Sequence, residues 1–573
     1  MLFLRRVFHS SHRIPILIQH PKSRRMSLKP ALRLRTEVPP TLEVKLTEVE
    51  DQICTLVDEC TAYLKQEKGI ETTCRIAGGW VRDKLLGLES NDIDIALSDI
   101  MGVPFAEHLV EFARQKGIST SEVAKISMNP EQSKHLETAT FRVLDRMLDV
   151  VNLRSEEYAG DSRIPNQVAF GTPLQDALRR DITINALFYN IHTRTVEDFT
   201  EKGLDDLRSG IVRTPLAPTE TFHDDPLRVV RCIRFASRFG FDMVPELEAA
   251  ARDPITHEAL KSKVSRERIG EEITKMMKGG DPLSAMRHIH NLNLYSSIFA
   301  ALPREITSSF SDVLGPSTDA LKASTILLAL LEPPTSMALC PVHPTLLSTL
   351  STDPTSRPRL FLAAALTPYR GVTYQDRKKK TIPAVDAAIR ESLKLGAQNH
   401  FLDGIPALFA ASGMLVSSAL DDARFTGPSE RVAIGLLLRE KVVHNANTGS
   451  HWTSSLLFSL VQELVPLYDA DADVLDIDAA TEIISVFNTF VERIHELALP
   501  DAVDARPLLD VSFLSFIVVT CTDQNFLPNQ NNVICRAGKG SQQGTQYEPG
   551  RMDGTRASAH RRVAARASRQ VEG

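Results

Sequence analysis

The sequence predicts an α+β protein, with a mixed-sheet unit over residues 37–205 and an all-helical chain over 206–285 and 286–520. Three observations predict it. Short strand-like and helical segments alternate up to Phe199. After Gly210, apolar residues recur at helical spacing, broken by Pro-rich loops such as "LEPPTS" and "STDPTSRPR". The stretch "RIAGGWVRDKLLGLESNDIDIALSD" (75–99) joins a strand, a glycine pair, a charged helix and a second strand carrying two carboxylates.

Taken in order, residues 1–36 hold seven Arg, two Lys and no acid before Glu37, the composition of a mitochondrial transit peptide. A second start at Met26 shortens that leader and leaves a cytosolic or nuclear form, so mitochondrion, cytoplasm and nucleus are all expected addresses. Between Leu42 and Gln66, Leu46, Val49, Ile53, Leu56, Val57 and Leu64 mark an amphipathic helix. "CRIA" is a strand, residues 80–87 a short helix, "LESND" a turn and "IDIALS" a strand. "HLETATFRVLDRMLDVVNLR" (135–154) alternates as two antiparallel strands. "DALRRDITINALFYN" (176–190) is expected as a helix, followed by the strand "TVEDF". The basic run "YQDRKKKTIP" (374–383) is expected as a solvated loop. Residues 521–573, rich in Gln, Asn, Gly, Ser and Arg without periodicity, are expected to be a disordered basic tail.

Composition excludes several classes. No run of about 20 apolar residues is present to span a bilayer as a helix, and a mean hydropathy of -0.12 is ordinary for a globular chain. Seven scattered cysteines without a CxxC pair argue against a disulfide framework or a structural zinc. With a net charge of -6, a nucleic-acid partner must meet a local basic surface.

The chemistry concentrates at 75–99. Residues i and i+2 of a strand share a face, so Asp92 and Asp94 project together while Ile93 and Ile95 turn to the core. Paired carboxylates raise each other's pKa unless cations lie between them, and Mg²⁺ suits a few carboxylates plus substrate phosphates. Gly78 and Gly79, opening a helix, offer close backbone approach and free N–H groups to a triphosphate; Arg82 adds a guanidinium fork. Together these parts describe two-metal nucleotidyl transfer. A third acid completes the cage: Asp149 on the neighbouring strand, with Asp145 as the alternative.

"GGWVRDKLLG…NDIDIA", "RRDITINALF", "DFTEKGLDDL" (198–207), "DDPLRVVRCIRFASRFGF" (224–241) and "SRERIGEEITKMM" (265–277) resemble, in this order, the motifs of class II CCA-adding tRNA nucleotidyltransferases. These are a branch of the polymerase-β nucleotidyltransferase superfamily, and the resemblance covers residues 45–280. It implies a nucleotidyltransferase head at 37–205, a neck at 206–285 and a tRNA-binding body and tail at 286–520. It implies CTP, ATP and tRNA as substrates and Mg²⁺ as cofactor. Arg179, Arg180 and Asp181 resemble the motif that holds the incoming triphosphate and ribose, with Asn185 beside them. Asp225 and Arg228 resemble the amino-acid template that selects CTP or ATP, although the usual Glu before it is Asp224 here. Arg231 and Arg234, on the same helix, are expected to bind phosphate. Gly203 is expected as a hinge. In the last motif Ser265 is expected to cap its helix and Arg268 to pair with Glu272 at i, i+4, bracing the neck rather than touching substrate.

Two alternative functions remain at this level. A poly(A) polymerase of the same superfamily shares these motifs and adds only A. A non-catalytic RNA-binding relative would have no use for Asp92 and Asp94.

Overall fold

The computed structural model describes residues 24–28, 35–126, 138–157, 167–333, 339–395, 402 and 404–503. The leader up to residue 23 and the tail expected at 521–573 lie outside the described residues.

The helix expected from Leu42 is α1 (Glu48–Lys68), which starts later because Thr47 and Glu50 form a capping box there. Seven strands follow: β1 (Cys74–Ala77), β2 (Ile93–Leu97), β3 (Ala124–Ile126), β4 (Thr138–Val143), β5 (Arg146–Asn152), β6 (Phe188–Asn190) and β7 (Thr195–Glu197). They form one mixed sheet in the order β7-β6-β1-β2-β5-β4-β3. Only the β2–β5 pairing is parallel. Helix α2 (Gly79–Leu85) links β1 to β2, and α3 (Gly102–Gln115) packs against β4 and β5. The strands β4 and β5 form the expected hairpin, turned at Leu144 and Asp145 with φ of 49° and 60°. A two-residue turn with both φ positive matches the twist of the flanking strands. Asp145 therefore sits in the turn, while Asp149 lies mid-strand.

Two expected elements differ. The helix at 176–190 is instead α4 (Pro173–Leu178), a 3-10 turn at Thr183–Asn185 and the strand β6. Tertiary pairing overrides local propensity here: β6 has β1 on one side and β7 on the other, and Phe188 is fully buried. The arginine-rich helix is α5 (Leu227–Phe239), with Pro226 at its N-cap. Asp225 precedes it in extended conformation, φ -137° and ψ 99°. The proline ring excludes the helical conformation from the residue before it.

Beyond β7 the described chain is mostly helical to Val503, as expected. Helix α5 buries Val230, Ile233 and Ala236 and packs on α6 (Arg266–Lys278). Small ladders interrupt the helices. Ile211–Val212 pairs with Asp242–Met243. The basic run at 374–383 is a hairpin rather than an open loop, its strands Thr373–Gln375 and Thr381–Pro383 joined by a turn. Asp376 accepts from the Lys378 and Lys380 N–H groups, both at 2.8 Å, and so closes that turn. Gly203 opens the helix Gly203–Ser209, where a Cβ would lie 2.8 Å from the Thr183 carbonyl. Close packing, rather than an open hinge, demands glycine there.

Candidate functional site

The parallel register of β2 and β5 sets Asp94 directly beside Asp149, and Asp92 stands two residues before Asp94 on the same face. Oxygens of all three carboxylates lie within 4.8 Å of one another. Thr140 Oγ1 on β4 donates to Asp149 Oδ1 at 2.5 Å and orients it. Burial, then the neighbouring charges of Asp92 and Asp149, push the Asp94 pKa up to about 6, against the pull of Arg180. Three crowded hard oxygen donors of this kind suit a divalent cation.

Asp94 opens onto a cavity of about 500 Å³. Asp92 and Asp149 stand beside it outside the cavity lining. Gly78 and Gly79 line the cavity at the junction of β1 and α2. Gly78 adopts φ 77°, and a Cβ there would approach Arg180 Nη1 to 2.9 Å. Only glycine fits both demands.

Arg179 and Arg180 line the same cavity at the end of α4, where one carboxylate steers both. Asp176, 1% exposed, pairs with Arg179 at 2.5 Å and Arg180 at 2.8 Å. Burial raises its pKa, but the two guanidiniums outweigh burial and bring it to about 2. Asp181 and Asn185 also line the cavity. Asp181 is buried; Arg231 pairs with it at 2.6 Å, Asn185 Nδ2 donates to it at 3.0 Å and the Ile182 N–H at 2.9 Å. Against the burial that raises it, these contacts, Arg231 foremost, bring its pKa to about 2 as well.

Arg82 lines the cavity but is only 3% exposed. It pairs with Asp83 at 2.7 Å, donates to Asn185 Oδ1 and lies against the rings of Phe235 and Phe239. The expected open fork for phosphate is thus already engaged within the protein.

From α5 and the residue before it come Asp225, Arg228, Arg231 and Arg234, all lining the cavity. Arg228 is 7% exposed; its Nη2 donates to the Arg179 carbonyl at 2.7 Å. Its Nη1 is buried and, among the described residues, has no hydrogen-bond partner. A buried guanidinium nitrogen left this way is costly, and in a cavity it marks a place for an acceptor. Arg234 pairs with Glu272 at 2.5 Å, and Arg231 approaches the same carboxylate at 3.7 Å.

The expected pairing of Arg268 with Glu272 is not made. Arg268 reaches Asp225 at 2.7 Å, while Glu272 serves Arg234, Arg231 and Lys275. Helix α6 faces the charged side of α5, so cross-helix partners replace the i, i+4 one. Arg268 also lines the cavity. Ser265 occupies the N-cap of α6 without a side-chain bond to the helix backbone. Sequence reasoning missed Asp176, Phe235, Arg238 and Arg268 as parts of this site. The signal for Asp176 was present: an acid three and four residues before an Arg pair on a helix.

Residues 74–213 match the family model described as the poly A polymerase head domain, and 240–305 match the probable RNA and SrmB-binding site of polymerase A. A tRNA nucleotidyltransferase of Schizosaccharomyces pombe is 36% identical over 474 residues, covering 82% of this chain and 88% of that protein. The mitochondrial CCA tRNA nucleotidyltransferase of Saccharomyces cerevisiae is 51% identical over 264 residues, 45% of this chain and 48% of its own. Among solved structures, a tRNA-processing enzyme in an apo form superposes with a TM-score of 0.51 at 18% identity. It covers 83% of this chain and 98% of its own, and so shares the fold.

Proposed function

Because the chain belongs to the tRNA nucleotidyltransferase family, we propose that the cavity between the sheet and α5 adds C, C and A to the 3′ end of tRNA, using CTP and ATP without a nucleic-acid template. In this reading residues 37–205 are the catalytic head, 206–285 the neck that chooses the nucleotide, and 286–520 the body and tail that hold tRNA. The observation that carries it is the three-carboxylate cluster, whose Asp94 opens onto a guanidinium-rich cavity also lined by Asp225 and Arg228.

Asp92, Asp94 and Asp149 would hold Mg²⁺. When bound, the cation supplies charge neutralisation for the attacking 3′-hydroxyl and the leaving pyrophosphate. The remaining roles belong to the chain. Gly78 and Gly79 let the triphosphate approach the backbone at the start of α2. Arg179 and Arg180, steered by Asp176, present positive charge to its oxygens. Asp181, held ionised by Arg231 and Asn185, accepts from the ribose hydroxyls. Asp225 accepts and Arg228 donates at the base edge. Cytosine and adenine each present an exocyclic amino donor next to a ring-nitrogen acceptor, which matches that pair; uracil and guanine present a carbonyl and a ring N–H instead, leaving like facing like. Arg231 and Arg234 reach phosphate by releasing Glu272, while Arg231 keeps its bond to Asp181.

The mitochondrial location of the Saccharomyces relative supports a mitochondrial site of action, and cytosolic and nuclear pools are part of the same proposal. Incubating the purified protein with tRNA lacking its 3′ end and each labelled nucleotide in turn tests the function. Incorporation of C, C and then A is expected. Addition of A alone would establish the poly(A) reading instead, and no incorporation would leave an RNA-binding relative.

A further inference from the structure

The stretch whose composition marks a leader contains two described segments, and both are built into the fold. Arg25–Met26 forms a strand against β9 (Val474–Asp476), which pairs on its other side with β8 (Tyr468–Asp469), with Arg25 opposite Asp476 and Met26 opposite Leu475. The Arg24 carbonyl accepts from the Ile477 N–H at 2.9 Å. That N–H opens the helix α7 (Ile477–Glu496) and would otherwise lack a helical partner. Arg24 donates twice to Asp478, from its N–H and from Nε, each at 2.8 Å. Ser27 Oγ donates to Asp473, which also accepts from the Tyr468 hydroxyl at 2.6 Å. Leu28 is 1% exposed and joins the main core. Further on, the Arg35 guanidinium donates to the carbonyls of Ser209 and Gly210, and the Thr36 N–H donates to the Phe239 carbonyl at 2.8 Å, at the end of α5.

We propose that the acidic β8–β9 edge is a docking surface for a basic extended strand, occupied in this chain by Arg24–Leu28. The segment works as a strap, fastening the N-terminal stretch to the helical half and, through Arg35 and Thr36, to the end of α5. A two-stranded ladder as short as β8–β9 is barely stable alone, and a third strand with complementary charge completes it. The exposed Arg24–Asp478 pair gives register more than strength; the backbone ladder and buried Leu28 supply the hold. Any removable leader therefore ends before Arg24. A chain begun at Met26 keeps Met26 opposite Leu475 and the buried Leu28 but lacks Arg24 and Arg25, which leaves Asp478 and the Ile477 N–H without those partners, so the strap is shortened in that form.

Trypsin cleaves after Arg24 and Arg25, which gives a direct readout on the full-length protein. Cleavage at these two bonds is followed by mass spectrometry and compared with a free peptide of residues 16–30. The strap predicts cleavage slower by about tenfold or more in the protein, because the protease acts on the opened segment. Leu28→Asp should restore the peptide's rate without changing nucleotide addition. Asp478→Ala, at an exposed position that leaves the core intact, should raise the rate in part and serves if the first variant does not fold. Cleavage in the protein as fast as in the peptide overturns the proposal, as do variants as resistant as the parent. Protection that grows with protein concentration would assign the strand to a second copy and overturn the strap.

Discussion

Removing Arg268 should degrade the choice of nucleotide while leaving the chemistry of addition in place. Its guanidinium lies 2.7 Å from Asp225, with the two side chains 34% and 18% exposed. A charge-assisted hydrogen bond of this kind contributes about 1.5–3 kcal/mol when fully buried, and partial exposure reduces that to about 1–2 kcal/mol. Asp225 has two further anchors: its Oδ1 accepts from the Leu227 N–H at 3.2 Å, and its carbonyl from the Arg228 N–H at 3.0 Å. Arg268→Ala therefore frees the carboxylate without unfolding the turn. At about tenfold per 1.4 kcal/mol, kcat/KM for CTP and ATP should fall by about 5–30-fold. Incorporation of UTP and GTP, which do not use that acceptor, should fall less, so discrimination narrows. Single-nucleotide incorporation on tRNA lacking its 3′ end, with each of the four nucleotides, measures this directly. Arg268→Lys, which keeps the charge, should recover part of the loss. Equal losses with all four nucleotides, or none, would refute the reasoning.

Other predictions follow from the same contacts. Asp176→Asn unpairs Arg179 and Arg180 and should raise KM for both nucleotides by about tenfold with a smaller effect on kcat, read from steady-state kinetics. Gly78→Ala forces a side chain into φ 77° and against Arg180 Nη1; a backbone cost of about 1–2 kcal/mol should lower Tm by a few degrees and weaken nucleotide binding. The native pKa values of Asp176 and Asp181, both about 2, lie below the ordinary 3.8. Their ionised forms therefore stabilise the fold fully above about pH 4, and that stability is lost as pH falls towards 2. Denaturant unfolding at pH 7 and pH 3 should show a drop of about 1–3 kcal/mol that shrinks in Asp176→Asn.

Much of this was legible because local period and tertiary role agree. The alternation of "IDIALS" and the hairpin at 135–154 fix which faces Asp94 and Asp149 occupy, and the parallel register brings them together. What the chain does not announce is set by partners distant in sequence. Phe188–Asn190 has helical neighbours in sequence but strand neighbours in space. Arg268 and Glu272 have the spacing of a surface pair, yet α5 offers each a better-placed opposite charge. Asp225 belongs to the arginine-helix motif, but Pro226 after it holds it extended, outside α5. Arg24–Leu28 has a leader's composition, and the strand Val474–Asp476 with the Asp473 and Asp478 side chains, some 450 residues later, gives it a place.

Nucleotide addition by Asp94→Ala tests the central claim most directly. With folding verified by Tm and tRNA binding intact, CTP and ATP incorporation in Mg²⁺ should drop by about a thousandfold or more, the scale of several kcal/mol of lost charge stabilisation. A variant that keeps activity within about tenfold of the parent would contradict it.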